Sequence, residues 1–351
     1  MTKRHFLLAF QILLNTRPDM DLLRYIVNKI KYFCRSKYTN TTVVYPSTIM
    51  LELGNHCNLH CMTCARENED GKRMDKGFMK VVQAKKIIDE LYPYLDTIGL
   101  TGMGETFFYE ELKEVASYIK KKKKSIRISV STNANFPNFI DKVELAIPYI
   151  DTIQVSMDGI GDTYEAIRCG GKFAPFEENL EKLISITKQH HVNLMLNLVI
   201  THLNYHQMPD VVEFAANRGI PFLNFTYYNL ACSPYDVSYY DMFRTSPFVD
   251  VLAKTKEEVK KHKKLEVTGL DFPGAASFQK CMFPWGHYNI TWDGYVVPCC
   301  VKPFPKVLNF GNVFENGVMS VLNSESYQQF RKMWQNNTKP EFCNKCHFVD
   351  L

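Results

Sequence analysis

From Thr48 onward the chain alternates short β-branched runs with stretches whose apolar residues recur every three to four positions, and no other feature narrows its fold as much. Strands are expected over residues 48–53, 97–101, 126–131, 152–156, 194–200 and 222–227, with helices between them over residues 80–92, 110–121, 139–146, 176–190 and 208–218. A strand that leads through a helix into another strand places the two strands parallel, because the right-handed crossover packs its helix back onto the sheet. Six such units build an open doubly wound sheet or curl into a full or partial barrel. In either case ligands collect beyond the carboxyl ends of the strands, so chemistry is sought in the loops that follow them.

The style of the sequence changes after Thr226. Residues 227–240 are rich in Tyr, Asn, Ser and Pro, residues 247–264 read as one charged helix, and from Cys281 the pattern becomes hairpin-like and cysteine-dense. Residues 287–291 and 295–298 form two short strands joined by Trp292-Asp293-Gly294, an Asp-Gly turn. With 351 residues and ~150 per domain, two domains are expected. The boundary near Leu265 divides the chain into residues 1–47, 48–264 and 265–351.

The first of these segments holds the charge. Residues 1–47 carry eight Lys/Arg against Asp19 and Asp21, a surplus of six, while the remaining 304 residues sum to −1. A nucleic-acid binder would stripe such charge over its folded domain, so no nucleic-acid partner is expected. The run Lys120 to Lys124 ends a helix, where lysines favour the negative end of the dipole. The apolar stretch 6–14 has nine residues, too short for a bilayer that needs ~20, and no small-residue cleavage site follows it. A cytoplasmic protein is expected. Leu23, Ile26, Val27, Ile30 and Phe33 recur at helical spacing opposite Arg24, Lys29 and Lys31. Such a helix either packs on the main domain or makes peripheral contact with an anionic membrane surface.

Eleven cysteines in a chain without an export signal point to metal or redox chemistry rather than to disulfides. Cys57, Cys61 and Cys64 form C-x3-C-x2-C directly after the first strand. Two centres fit. Zinc would take the three thiolates with His56 or His60 as fourth ligand. A four-iron cluster would leave one iron open for a ligand. The position, at the top of the first strand of a β/α array, is that of a catalytic centre.

With these residues in order, residues 48–351 resemble the radical S-adenosylmethionine (radical SAM) enzymes. The resemblance implies that Cys57, Cys61 and Cys64 bind a 4Fe-4S cluster whose open iron is chelated by SAM. Gly102-Met103-Gly104-Glu105 is similar to the family's Gly-Gly-Glu motif, with glycines for close backbone approach and Glu105 as acceptor for the SAM ammonium. Ser131-Thr132-Asn133 and Ser156-Met157-Asp158-Gly159 resemble the strand ends that hold ribose and methionine, which makes Thr132, Asn133, Ser156 and Asp158 SAM contacts. Tyr164, Glu165, Arg168, Gly170, Gly171 and Phe173 follow a further family pattern in which Arg168 grips the SAM carboxylate. Leu198, Val199 and Ile200 would flank adenine. Two positions depart from the pattern: Thr63 stands where an aromatic residue is usual and Thr106 where proline is usual.

Cys281, Cys299, Cys343 and Cys346, with four residues between Gly294 and Cys299, could enclose one metal as a four-thiolate zinc site or a 4Fe-4S cluster. Beside the radical SAM core this layout looks like the twitch domain, the shortened relative of SPASM, which carries one auxiliary 4Fe-4S cluster. Cys300 adjoins Cys299, and the glycine spacing favours Cys299. The fold implied is α/β, a partial (β/α)6 TIM-like barrel with a small C-terminal α+β twitch (SPASM-like) iron-sulfur domain.

The resemblance also implies a reductant such as flavodoxin or ferredoxin and a 5′-deoxyadenosyl radical that abstracts hydrogen. Because only 47 residues precede the first strand, a carbohydrate- or cyclitol-like small molecule is expected as substrate, oxidised or epimerised. Tyr227, Tyr228, Tyr235, Tyr239 and Tyr240 could line a polyol pocket. Cys232, just past the sixth strand, is the candidate catalytic hydrogen donor, ahead of Cys169 and Cys34; a buried small hydrophobe is the structural reading of the same residue. The alternatives are a radical SAM enzyme that modifies a peptide or protein, and a non-catalytic zinc-binding interaction protein.

Overall fold

The structure, a computed structural model, describes residues 20–34, 40–271 and 281–347. Nine strands share one sheet: β1 (Thr48–Leu51), β2 (Thr97–Gly99), β3 (Arg127–Thr132), β4 (Thr152–Ser156), β5 (Asn193–Ile200), β6 (Phe222–Tyr227), β7 (Glu266–Thr268), β8 (Tyr288–Ile290) and β9 (Val296–Val297). Their order is β7-β6-β5-β4-β3-β2-β1-β8-β9. Neighbours pair in parallel except β8 and β9, which form the expected antiparallel hairpin. β7 and β9 are the two edges, so the barrel is open on one side.

Alternation is visible along the strands. In β5 and β6 every second residue is buried under the helices and the others are half-buried toward the concave side. The helices Val81–Leu91, Leu112–Lys122, Phe139–Ala146, Phe173–His190 and Met208–Asn217 cover the outer face, each within a few residues of its expected bounds. The charged helix is Phe248–Lys261.

Two connections differ from expectation. β7 pairs with β6, which carries the sheet past the boundary drawn at Leu265. β8, from the C-terminal region, pairs in parallel with β1 through Ile49 with Tyr288 and Leu51 with Ile290. The C-terminal hairpin therefore extends the sheet of the first domain instead of hanging from a linker. Pairing across such a sequence separation leaves no local pattern to read.

The helix Met20–Cys34 packs on the main domain. Tyr25 Oη donates to Asp96 at 2.8 Å, Asn28 Nδ2 to the Tyr45 carbonyl at 2.8 Å, and Tyr92 Oη to Asp21 at 2.7 Å. Lys29 pairs with Asp96 as well. Val27, expected on the buried face, is exposed. No helix among the described residues is long and apolar enough to cross a membrane; the stretch 6–14 lies outside them.

Candidate functional site

Cys57, Cys61 and Cys64 lie in the loop after β1, all partly buried. That loop is fastened to the segment after β4: His60 N donates to the Cys169 carbonyl and Met62 N to the Ile167 carbonyl, both at 2.9 Å. Asn58 Nδ2 reaches the Asn135 carbonyl at 2.8 Å. Two donors are aimed at the sulfurs. Asn133 Nδ2 lies 3.6 Å from Cys57 Sγ, and Arg168 NH1 3.8 Å from Cys61 Sγ. Burial pushes the Cys61 thiol up to about 12 against the pull of Arg168, and raises Cys64 for the same reason. Metal must therefore displace their protons.

Zinc fits this loop poorly. His60 is exposed and faces Glu67 at 3.2 Å, and His56 stacks on Phe78 with centroids 4.7 Å apart, so each imidazole has another neighbour. Three thiols with charged and amide donors suit a wider multi-iron centre, which delocalises negative charge onto sulfur.

The loop after β2 packs closely against the cysteine loop. A Cβ on Gly102 would lie 2.3 Å from Glu52 Cγ, and one on Gly104 2.5 Å from the Gly54 carbonyl and 2.8 Å from the His56 carbonyl. The glycines are thus required by the chain's own packing against the cysteine loop, to which Glu105 N is also tied through the His56 carbonyl at 2.8 Å. The Glu105 carboxylate accepts three hydrogen bonds from its surroundings. One oxygen accepts from Thr132 Oγ1 at 2.8 Å and Phe107 N at 3.2 Å, the other from Asn133 N at 2.8 Å. Its role is to bind the end of β3 to this loop; burial raises its carboxyl to about 7. We expect Gly104→Ala to lose about four of about eight irons, with the auxiliary site still loaded, as read by iron analysis and Mössbauer spectroscopy.

Glu52 is a site residue that the sequence reading missed. It is buried at the end of β1, and its carboxylate accepts from Met103 N at 2.7 Å and Trp292 N at 3.2 Å. It joins the Gly102–Glu105 loop to the turn of the C-terminal hairpin. Desolvation raises it to about 7 despite those two donors. The available signal was a carboxylate inside the apolar run Ile49-Met50-Leu51-Glu52-Leu53.

Arg168 and Asp158 form a buried pair with Nε and Oδ2 3.1 Å apart. The other Asp158 oxygen accepts from Val199 N at 2.8 Å. The N–H of Nε is not directed along the contact, so this is an ion pair without an aligned hydrogen bond. Arg168 thus touches both Asp158 and Cys61, and two of its nitrogens have neighbours other than a ligand carboxylate. Ser156 is half-buried at the end of β4. Leu198 and Ile200 are fully buried in the core. Of the three residues expected near adenine, only Val199 faces the concave side.

Cys281, Cys299, Cys343 and Cys346 line one largely apolar cavity together with Ala231, Lys302, Phe330 and Trp334. Cys300 is exposed and outside that lining. Burial pushes Cys281 up to about 11 and Cys343 up to about 12 and raises Cys299. Gly294 makes the hairpin possible: its φ is +91°, and a Cβ there would meet Asn312 and Phe314 at 2.6 Å. Four thiols around one cavity fit a fully ligated cluster. Cys299→Ala should lose about four irons and Cys300→Ala none, measured after anaerobic reconstitution.

Cys232 is half-buried at the junction of the two regions, where its Sγ donates to the Val301 carbonyl at 3.1 Å. Tyr228, Tyr235 and Tyr239 line a cavity beside the cysteine loop with Met62, Thr63 and His202. Tyr227 and Tyr240 are instead buried, with hydroxyls donating to the Leu270 carbonyl at 3.0 Å and the Lys345 carbonyl at 2.7 Å.

A profile of the Radical SAM superfamily matches residues 51–215, and one of an iron-sulfur cluster-binding domain, SPASM, matches residues 281–347. The tungsten-containing aldehyde ferredoxin oxidoreductase cofactor-modifying protein of Pyrococcus furiosus is 26% identical over 325 residues, covering 86% of this chain and 87% of that protein. The PqqA peptide cyclase of Bradyrhizobium diazoefficiens is 23% identical over 329 residues, 90% of this chain and 83% of that one. The structure of Streptococcus suis SuiB bound to precursor peptide SuiA shares the fold, with a TM-score of 0.65 at 16% identity over 94% of this chain and 74% of that chain.

Proposed function

We propose that this chain, which belongs to the radical SAM superfamily and joins a radical SAM domain to a SPASM domain, removes hydrogen from a peptide substrate. The observation that carries this reading is the likeness to a peptide cyclase along 90% of this chain, through both domains. One structural feature supports it. The cavity beside the cysteine loop offers Met62, Tyr228, Tyr235 and Tyr239, apolar and ring surfaces suited to side chains as well as to sugars. The sugar or cyclitol substrate expected from the sequence rested on the short segment before the first strand and on the tyrosines. Three of those tyrosines, Tyr227, Tyr228 and Tyr240, belong to the buried core, and of these Tyr228 also borders the cavity.

Bound at the cysteine loop, a 4Fe-4S cluster and SAM would supply the 5′-deoxyadenosyl radical that takes the hydrogen. The chain's own residues prepare that place. Asn133 and Arg168 direct N–H groups at Cys57 and Cys61, and Glu105 fixes the end of β3 to the glycine loop. Cys232 keeps its proton at neutral pH, because burial pushes its thiol up to about 11. A retained S–H is what a hydrogen-atom donor needs.

The test uses uniformly deuterated cell extract, divided into peptide and non-peptide fractions and given separately to reduced holoenzyme with SAM. Deuterium is expected in 5′-deoxyadenosine from the peptide fraction, and protease treatment of that fraction should remove it. Deuterium arriving from the protease-resistant, non-peptide fraction alone would overturn the reading in favour of a small molecule.

A further inference from the structure

The loop after β6 is where the radical SAM domain meets the auxiliary site. Asn68 Nδ2, four residues past Cys64, donates to the Cys232 carbonyl at 3.2 Å, and Cys232 Sγ donates to the Val301 carbonyl. Leu230 N donates to Tyr240 Oη at 2.9 Å, and Lys345 Nζ returns to the carbonyls of Ser233 at 2.9 Å and Tyr235 at 2.8 Å. The loop is thereby stitched to the cysteine loop on one side and to the Cys343–Cys346 segment on the other.

Asn229 stands at the head of this loop and uses both ends of its amide. Its Oδ1 accepts from Ala231 N at 3.0 Å and caps the turn Leu230–Cys232. Its Nδ2 donates to Cys346 Sγ at 3.2 Å. The donor comes from the radical SAM domain and the sulfur belongs to the auxiliary cavity, which Ala231 of the same loop also lines.

We propose that Asn229 sets the reduction potential of the auxiliary cluster. An N–H donor to a coordinating sulfur stabilises the more negative, reduced cluster and raises its potential. Asn229 acts through Cys346 and is a positioning residue. The inference rests on the auxiliary centre and is independent of the substrate class.

The experiment is a dithionite redox titration of full-length holoenzyme followed by EPR. Added SAM perturbs the signal of the cluster at Cys57, Cys61 and Cys64, so the auxiliary signal is the one that SAM leaves unchanged. Asn229→Ser and Asn229→Asp both keep a side-chain oxygen to cap Ala231 N. Serine is too short to reach the sulfur, and aspartate offers it a negative charge in place of a donor. The auxiliary potential should fall in Asn229→Ser and fall further in Asn229→Asp, with the reduced fraction at a fixed potential dropping several-fold. The SAM-site signal should stay at its wild-type potential. Unchanged auxiliary potential in both fully loaded variants overturns the proposal. Loss of the auxiliary irons alone does so too, since Asn229 would then serve assembly and not tuning.

Discussion

Cys61→Ala should leave a folded protein with about four irons in place of about eight and no detectable 5′-deoxyadenosine from SAM and dithionite, a loss of at least ~1,000-fold. The remaining irons should be those of the auxiliary cluster, because Cys281, Cys299, Cys343 and Cys346 line a separate cavity. The fold should survive, because the cysteine loop is held by backbone contacts that do not involve the sulfur. These run from His60 N to the Cys169 carbonyl and from Met62 N to the Ile167 carbonyl. Iron and sulfide analysis with product chromatography checks both halves. Full iron with persistent SAM cleavage would remove Cys61 from the ligand set; stoichiometric zinc in wild-type protein would remove the cluster altogether.

Arg168→Leu carries the second large effect, on stability and on cleavage together. Asp158 is wholly buried, and Arg168 is its ionic partner at 3.1 Å. Removing one member of a buried pair leaves an uncompensated charge and costs about 3–5 kcal/mol, which denaturant unfolding under anaerobic conditions would measure. SAM cleavage should fall as well, because the same guanidinium lies 3.8 Å from Cys61 Sγ. The two effects separate in the double variant Arg168→Leu/Asp158→Asn. Stability should largely return, since the stranded charge is gone, whereas cleavage should not. Recovery of cleavage along with stability would show that Arg168 serves the fold alone.

Much of this architecture was legible because it is written in local periodicity. β4 and β6 and the helix Phe139–Ala146 fall on their expected residues, since alternating burial and three-to-four spacing are short-range signals. The three-cysteine loop was equally plain: its cysteines stand within eight residues at the end of a strand. Site details that depend on where side chains point were not legible. Gly102 and Gly104 were legible as points of close backbone approach; that Glu52 and the backbone of the cysteine loop press against them was not. Glu105 was legible as an acceptor, whereas its partners at the end of β3 and in its own turn were not. Leu198 and Ile200 belong to the buried face of β5, which the alternation of that strand already implied.

By itself the sequence determined a parallel β/α array, a cysteine loop at the head of β1 and a second group of cysteines, Cys281 and Cys299 flanking a C-terminal hairpin with Cys343 and Cys346 beyond it, because each is read from spacing along the chain. The tertiary structure alone decided that β8 pairs with β1, that Glu52 joins the loop after β2 to the C-terminal hairpin, and that Asn229 reaches Cys346. Those contacts join residues far apart in the chain. Their choice is made by burial and by satisfying polar groups in three dimensions, and neither leaves a mark in local sequence.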